Sequence, residues 1–231
     1  MPIAFKTSTD NNEGGGSHSD DVVGRFRSGY QTSSGRPMGL DAFRITTGDP
    51  DVAAAIADLM GSDDSGVSEW DTSTEEKLQV FTETSELEII VDPSAIKATL
   101  VLWSQRGKKI VETDGTFLIE DGKLTGKEWD GSHKDLQQIK KDAKDGVGPA
   151  PSLQVYFRLA ESPELGKFKY FSGAWTAIET FNKVEERLAE MDAPARVLLS
   201  LERVEFTAKD GTEVSYVRPS LKVLGPAEDV V

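Results

Sequence analysis

Histidine and carboxylate side chains could perform acid–base chemistry in this chain, but their positions argue against an active site. The two histidines are His18, in a Gly/Ser-rich stretch, and His133, in a polar segment. Neither position offers a scaffold for a His-centred triad or a two-histidine metal site. The chain contains no cysteine, which excludes disulfides, thiolate zinc sites and cysteine nucleophiles. The sequence therefore predicts a non-enzymatic protein without a metal or another cofactor.

Two further patterns suggest ligand binding, but each fits the required chemistry poorly. Residues 122–127, GKLTGK, resemble a phosphate-binding loop, but three residues instead of four separate the glycines, and Glu128 replaces the magnesium-binding hydroxyl. The acidic pairs Asp63-Asp64 and Glu75-Glu76 lack the alternating ligand spacing of a calcium-binding loop. We interpret the first pattern as a turn and the acidic pairs as solvated surface.

The charge of the chain favours a protein partner over nucleic acid. The 231 residues carry a formal net charge of −14, with acidic side chains concentrated in residues 41–112. Affinity for nucleic acid comes mainly from Lys and Arg that release counterions, so we expect little direct affinity for DNA and a basic partner protein. No apolar run approaches the roughly 20 residues of a membrane span, and the N-terminus lacks a signal-peptide pattern. These features predict a cytoplasmic protein.

Composition predicts how the chain is divided. Residues 1–21 are mostly Gly, Ser, Asn and acidic residues, which predicts a disordered N-terminus. Residues 22–40 contain arginines among glycines without helical or strand periodicity, which indicates an arm or extended loop. Residues 41–224 are predicted to form a single domain with a polar insertion at about 121–150, and residues 225–231 a free tail.

The apolar pattern of the predicted domain is typical of β-strands. Apolar and β-branched runs predict strands over 42–47, 78–84, 87–92, 97–104, 109–113, 116–121, 152–160, 167–173, 195–208 and 213–224. We expect the runs between 78 and 104 to be consecutive antiparallel strands. The last two runs should form a long hairpin around Asp210-Gly211.

Capping residues and apolar periodicity predict helices. Asp49 followed by Pro50 predicts a short N-terminal helix over 51–60, and Ser132 with Asp135 predicts the start of a short exposed helix. Apolar residues on one helical face from 175 to 188 predict the main packed helix. The expected fold class is α+β: a strongly curved antiparallel sheet with one main amphipathic helix packed on it, a short N-terminal helix and a disordered N-terminal arm.

The four tryptophans have different expected roles. Trp103 follows an apolar run and Trp175 begins the amphipathic helix, so both are predicted in the core. Trp129 lies in the polar insertion, where we expect an exposed, protein-binding anchor. Trp70 lies in a polar loop that indicates neither role.

Several segments, in order, resemble the recombination directionality factors that actinobacterial phages pair with large serine integrases. The similar segments are 24–29, 35–37, 40–47, 80–91, 102–104, 114–115, 152–155, 165–168 and 172–175. The motif positions interpreted as structural are Gly24, Gly29, Phe43, Arg44, Trp70, Phe81, Thr82, Glu83, Trp103 and Trp175. Members of this family often carry cysteines after the tryptophan-serine strand. This chain lacks them, so no metal is carried over.

The resemblance implies a function through a protein partner. Such a factor binds its integrase on attachment-site DNA and favours excision (attL × attR) over integration, without cutting DNA itself. An acidic factor complements the basic surface expected of an integrase. The residues predicted to contact the partner are Arg25, Phe26, Arg27, Arg36 and Trp129.

Two other functions remain open from the sequence. One is a replication-associated or single-strand nucleic-acid-binding protein that uses Phe26, Tyr30 and the arginines of residues 22–40 to stack bases and bind phosphates. The other is a structural or virion-associated protein, which would assemble with itself in the absence of partners.

Overall fold

A computed structural model of the chain describes residues 21–31, 37–62, 66–207 and 211–227. Within these ranges the fold is α+β, with thirteen strands and three α-helices. The strands are β1 (Val22–Gln31), β2 (Pro37–Thr47), β3 (Ser68–Glu69), β4 (Leu78–Phe81), β5 (Glu86–Val91), β6 (Ile96–Trp103), β7 (Lys109–Thr113), β8 (Phe117–Glu120), β9 (Lys123–Glu128), β10 (Ala150–Leu159), β11 (Lys167–Ser172), β12 (Ala195–Thr207) and β13 (Glu213–Pro226). The helices are α1 (Pro50–Met60), α2 (Leu136–Lys144) and α3 (Ile178–Met191).

Most of the strands form one continuous row, and a branch leaves it at β10. The row has the order β3-β4-β2-β1-β11-β10-β6-β7-β8-β9, and its pairs are antiparallel except for the parallel pair of β1 and β11. Residues 150–155 of β10 pair with β6, whereas Arg158 and Leu159 pair with β5. β5 then pairs with β12, and β12 with β13. Strand β10 therefore joins the two parts.

The core lies against one face of the row, because alternate side chains of each strand point to the same side. Phe26 of β1 lies at its centre, with ring centroids of Phe43, Phe157 and Phe168 at 5.9, 5.4 and 5.3 Å. Helix α3 contributes buried apolar side chains to the same cluster, among them Phe181. Aromatic contacts of this kind contribute both buried area and geometric specificity.

The capping residues and the amphipathic pattern predicted three helices correctly. The Asp49 carboxylate accepts the backbone N–H groups of Asp51 and Val52 at the start of α1. Asp135 is the N-cap of α2 and accepts the N–H of Gln138, so this helix begins three residues after Ser132, the predicted start. Helix α3 buries Ile178, Phe181, Val184 and Leu188 on one side.

The interpretation of residues 22–40 as an arm without periodicity is wrong for the described part of that range. Strand β1 occupies the middle of the row, between β2 and β11. The apolar alternation is hidden because Gly24 and Ser28 share the core-facing side of β1 with Phe26. A Cβ at Gly24 would lie 3.1 Å from the Thr46 carbonyl oxygen and 3.2 Å from the Phe168 ring, so close strand packing favours glycine there.

The expected neighbours of β5 are also wrong. β5 pairs with β10 and β12, while β4 pairs with β2 and β3, so the runs between 78 and 104 are not one meander. Such non-local pairing leaves no trace in local periodicity. The β12–β13 hairpin is confirmed, with a register running from Ala195↔Pro226 to Thr207↔Glu213.

The predicted polar insertion and the predicted C-terminal tail also need revision. Residues 121–150 contain β9 and α2, and contribute Trp129 and Ile139 to the core cluster. Gly225 and Pro226, expected in a free tail, belong to β13. The predicted disordered segment 1–20 and residues 228–231 lie outside the described residues.

Candidate functional site

The face of the strand row opposite the core carries cations and aromatic rings. We call it the basic face and define it by Arg25, Arg27, Arg44, Thr46, Trp70, Glu76, Lys97, Tyr156, Lys169 and Phe171. The register brings its members together: Arg25 lies opposite Thr46 on one side and Lys169 on the other, Lys169 lies opposite Tyr156, and Arg27 lies opposite Arg44. Trp70 and Glu76 come from the β3–β4 connection.

One carboxylate organises the half of the basic face on β1 and β2. Glu76 pairs with Arg25 Nε through Oε1 at 2.6 Å and with Arg27 Nη2 through Oε2 at 3.0 Å. The Thr46 hydroxyl donates to Glu76 Oε2 at 2.8 Å and accepts from Arg27 Nε at 2.9 Å. Two guanidinium groups therefore share a single negative charge.

Arg44 is a buried cation next to this network. Its residue is 3% exposed, and its guanidinium carbon lies 4.3 Å from the Trp70 ring centroid and 5.7 Å from that of Phe81. Arg44 Nε and Nη2 find no hydrogen-bond acceptor in the part of the chain that the structure describes. Burial, and secondarily the charge of Arg27, lowers the pKa of Arg44. The aromatic rings thus provide its main stabilising contacts.

The Trp70 side chain also fixes its own segment over β2. Its indole N–H donates to the backbone oxygen of Glu76, and the Arg27 guanidinium lies 5.7 Å from its ring centroid. The connection between β3 and β4 is thereby held over Arg44 and Thr46, both of which are buried.

The other half of the basic face, on β6, β10 and β11, has no carboxylate or indole among its defining residues, although its Tyr156 is only 4% exposed. The ammonium groups of Lys169 and Lys97 lie 5.1 and 5.8 Å from the Tyr156 ring centroid. Burial, followed by the nearby charges of Arg25 and Lys97, lowers the pKa of Lys169, and Glu76 opposes this shift. Phe171, two residues after Lys169 on the same side of β11, is 51% exposed.

The basic face is therefore a local reversal of the overall charge. Its ten defining residues include five cationic side chains and one carboxylate, on a chain whose formal net charge is −14. Lysine and arginine beside an exposed aromatic ring can bind phosphates and a base or another planar group.

A second exposed surface lies at the far end of the β12–β13 hairpin. We call residues 202–207 and 213–218 the hairpin ribbon. Cross-strand pairs Phe206↔Val214 and Val204↔Tyr216 lie on one of its faces, and Phe206 is 51% exposed. The ribbon therefore presents apolar side chains to solvent.

The structure reverses the expected roles of two tryptophans. Trp129 was expected to be exposed but is only 8% exposed and joins the core cluster. A Cβ at Gly131 would lie 2.3 Å from its ring, so glycine makes room for the indole. Trp103 was expected in the core but is 55% exposed, because it continues the outward-facing positions of β6. Trp175 is partly buried against the core, as expected.

Of the other residues predicted to contact a partner, Phe26 is buried, Arg25 and Arg27 lie on the basic face, and Arg36 lies outside the described residues.

Among the motif positions, Phe43 and Thr82 are buried, and the Thr82 hydroxyl donates to the Phe43 carbonyl at 2.9 Å. The Arg44 guanidinium lies over the rings of Trp70 and Phe81. Glu83 is exposed, and a Cβ at Gly29 would meet the Met38 carbonyl at 2.7 Å.

Sequence reasoning missed Glu76, Lys97, Tyr156, Lys169 and Phe171 as members of one site. The alternation of Lys167 to Phe171, KFKYF, indicates a strand with one polar face. It does not indicate which strands lie beside it, so the combined charge of the face could not be read from it.

The basic face and the hairpin ribbon are two exposed surfaces of a β-rich α+β fold. A family model described as Gp3-like, recombination directionality factor-like, matches residues 23–224. The match covers most of the chain, from β1 into β13, and the chain therefore belongs to this family. No solved structure matches the chain.

The described residues contain neither a cluster of potential metal ligands nor a helix suited to span a membrane. No group of three or more His, Cys, Asp or Glu in these residues could hold a metal ion. Among the described helices, none combines the length and apolar character needed to cross a bilayer.

Proposed function

We propose that this protein is a recombination directionality factor that binds a phage large serine integrase on attachment-site DNA and favours excision over integration. The observation that carries the proposal is the family match over residues 23–224. The integrase supplies the nucleophile in this scheme, and the factor acts without catalysis or a cofactor. The proposed place of action is the cytoplasm of the host bacterium, where the phage DNA lies.

The proposed mechanism is a population shift. A factor that binds one arrangement of the integrase more tightly than another moves the equilibrium by its difference in affinity. Each 1.4 kcal/mol or so of that difference changes the equilibrium about tenfold. Reversing a strong preference from integration to excision requires several such increments.

We place the integrase contact on the apolar face of the hairpin ribbon. Phe206 and Tyr216 are exposed there, and aromatic side chains contribute strongly to protein interfaces. Glu205 and Glu213 lie on the ribbon's other face, at the rim of such a contact, and complement the basic surface expected of an integrase. Phe26 and Trp129 are no longer candidates because both are buried.

The test is in vitro recombination by the phage's own integrase, scored for attL × attR and attP × attB products with and without this protein. Stimulated excision with suppressed integration supports the proposal. Unchanged products, together with no binding of the integrase in a pull-down, overturn it.

A variant pair tests the contact surface separately. Phe206→Ala combined with Tyr216→Ala should weaken integrase binding by about tenfold or more, because truncating a central aromatic contact typically costs 2 kcal/mol or more. Leu224→Ala is the matched control, since Leu224 is an exposed apolar residue of β13 outside the ribbon. Equal effects of the two variants would place the contact elsewhere.

A further inference from the structure

We propose that the basic face binds single-stranded DNA, with Arg25, Lys97 and Lys169 contacting phosphates and Phe171 stacking on a base. The proposal does not depend on integrase binding, because it uses a different surface from the hairpin ribbon.

The first support is that the cations of the basic face outnumber its carboxylates. Two of its cations, Arg25 and Arg27, share Glu76, while Lys97 and Lys169 lie beside them around Tyr156. Burial, followed by the charges of Arg25 and Lys97, lowers the pKa of Lys169, and Glu76 opposes the shift, so Lys169 lies among like charges. A polyanion crossing the face would relieve the repulsion between them.

The second support is the arrangement of these cations across the sheet. Arg25, Lys169, Tyr156 and Lys97 come from the four successive strands β1, β11, β10 and β6. Neighbouring strands lie about 4.8 Å apart, so the side chains form a band roughly 14 Å wide. An extended nucleic-acid strand that runs across the β-strands would pass each of them in turn.

The third support is the exposed ring within the band, which favours a single strand as the ligand. Phe171 lies opposite Gln154 in the register of β11 and β10, so a stacking surface and an amide are adjacent. A single strand offers unstacked base faces to such a ring. A duplex buries those faces between base pairs, and an acidic peptide does not have them.

The net charge of −14 does not oppose this site. At physiological ionic strength the Debye length is about 8 Å, so a bound phosphate interacts mainly with the side chains closest to it. Among the residues that define the basic face, five are cationic and one, Glu76, is anionic. The prediction of little DNA affinity assumed that the negative charge is spread evenly over the surface. In the structure, cationic side chains are concentrated on the basic face.

Fluorescence anisotropy of a labelled oligothymidine of about 20 nucleotides, titrated with the full chain, tests the proposal. We expect binding at low salt that weakens steeply as salt rises. Phe171→Ala should weaken it by about fivefold or more, because stacking contributes about 1–3 kcal/mol per base. Lys97→Gln and Lys169→Gln should each weaken binding and reduce the salt dependence.

Matched controls separate this site from general effects. Phe206→Ala removes an equally exposed phenylalanine, since Phe171 and Phe206 are both 51% exposed. Lys222→Gln removes an exposed strand lysine outside the face. Both controls should bind the oligonucleotide like the unaltered protein.

Any one of four results would overturn the proposal. The first three are no binding to oligothymidine at low salt, equal weakening by the control variants, and competition by poly-glutamate as strong as by unlabelled oligothymidine, which would assign the face to an acidic protein. A duplex that binds as tightly as the single strand and ignores Phe171→Ala would also overturn it. The recombination assay is independent, so failure of either proposal is distinguishable from failure of the other.

Discussion

Both halves of the basic face combine cationic side chains with aromatic rings. They differ in the groups that contact the cations. On β1 and β2, one carboxylate and one indole hold three guanidinium groups, and Arg44 is buried beneath Trp70. On β6, β10 and β11, two ammonium groups lie beside one buried tyrosine ring, and Phe171 is half-exposed. The difference indicates that the covered half stabilises the fold and the open half is available to a ligand.

Removing the Trp70 ring that covers Arg44 is expected to lower the free energy of unfolding more than any other change that we propose. Trp70→Ala removes the ring over Arg44 and the hydrogen bond that holds the β3–β4 connection. Truncating a well-packed aromatic typically costs about 3–5 kcal/mol, so we expect a loss of about 3 kcal/mol in the free energy of unfolding. Urea unfolding measures it. A loss below about 0.5 kcal/mol, the range of surface substitutions, would remove the structural distinction between the halves.

The second expected effect is the loss of the shared counter-charge. Glu76→Gln leaves Arg25 and Arg27 without the carboxylate that they share, and hydrogen bonds to charged groups contribute about 1.5–3 kcal/mol. We expect destabilisation of about 2 kcal/mol that shrinks when salt screens the remaining cations. Urea unfolding at low and high salt tests this. Destabilisation that does not change with salt would argue against repulsion among the arginines.

Glu185 is a buried ionisable group outside the basic face, and it is an acid, whereas Arg44 is a base. Glu185 of α3 is buried, and its Oε2 has no hydrogen-bond partner among the described residues. Burial, and secondarily Glu186, raises the pKa of Glu185 to about 8. Arg44 keeps its charge against two aromatic rings, whereas Glu185 avoids its charge by holding a proton.

The raised pKa predicts a pH dependence of stability. The folded state binds the proton more tightly than the unfolded state, so this contribution is complete below the ordinary pKa of 4.5 and is lost as pH rises through about 8. Glu185→Gln should flatten that decline and raise stability at pH values above about 8 by roughly 1–2 kcal/mol. Thermal unfolding across this pH range compares the two proteins. Parallel pH profiles would show that Glu185 does not hold a proton in the folded protein.

The sequence predicted the elements better than it predicted the faces. Alternation and capping located most strands and all three described helices, because these signals are local. The strand Val22–Gln31 was missed because Gly24 and Ser28 occupy core-facing positions. The functional face depends on which strands are adjacent, and the parallel pairing of Arg25 with Lys169 joins residues far apart in sequence. No local pattern contains that information.

The smallest expected effect on stability is in the open half. Phe171 is half-exposed and Lys97 is exposed, so Phe171→Ala and Lys97→Gln should each change the free energy of unfolding by less than about 0.5 kcal/mol. Urea unfolding of these variants alongside Trp70→Ala measures the contrast directly. If Phe171→Ala destabilised the protein as much as Trp70→Ala, the exposed ring would be part of the packing. We expect these variants to change the free energy of unfolding little but to weaken oligonucleotide binding. Phe171 and Lys97 are exposed to solvent in the free protein, so their removal costs little packing. That outcome would separate stabilising residues from ligand-binding residues on the same face of the sheet.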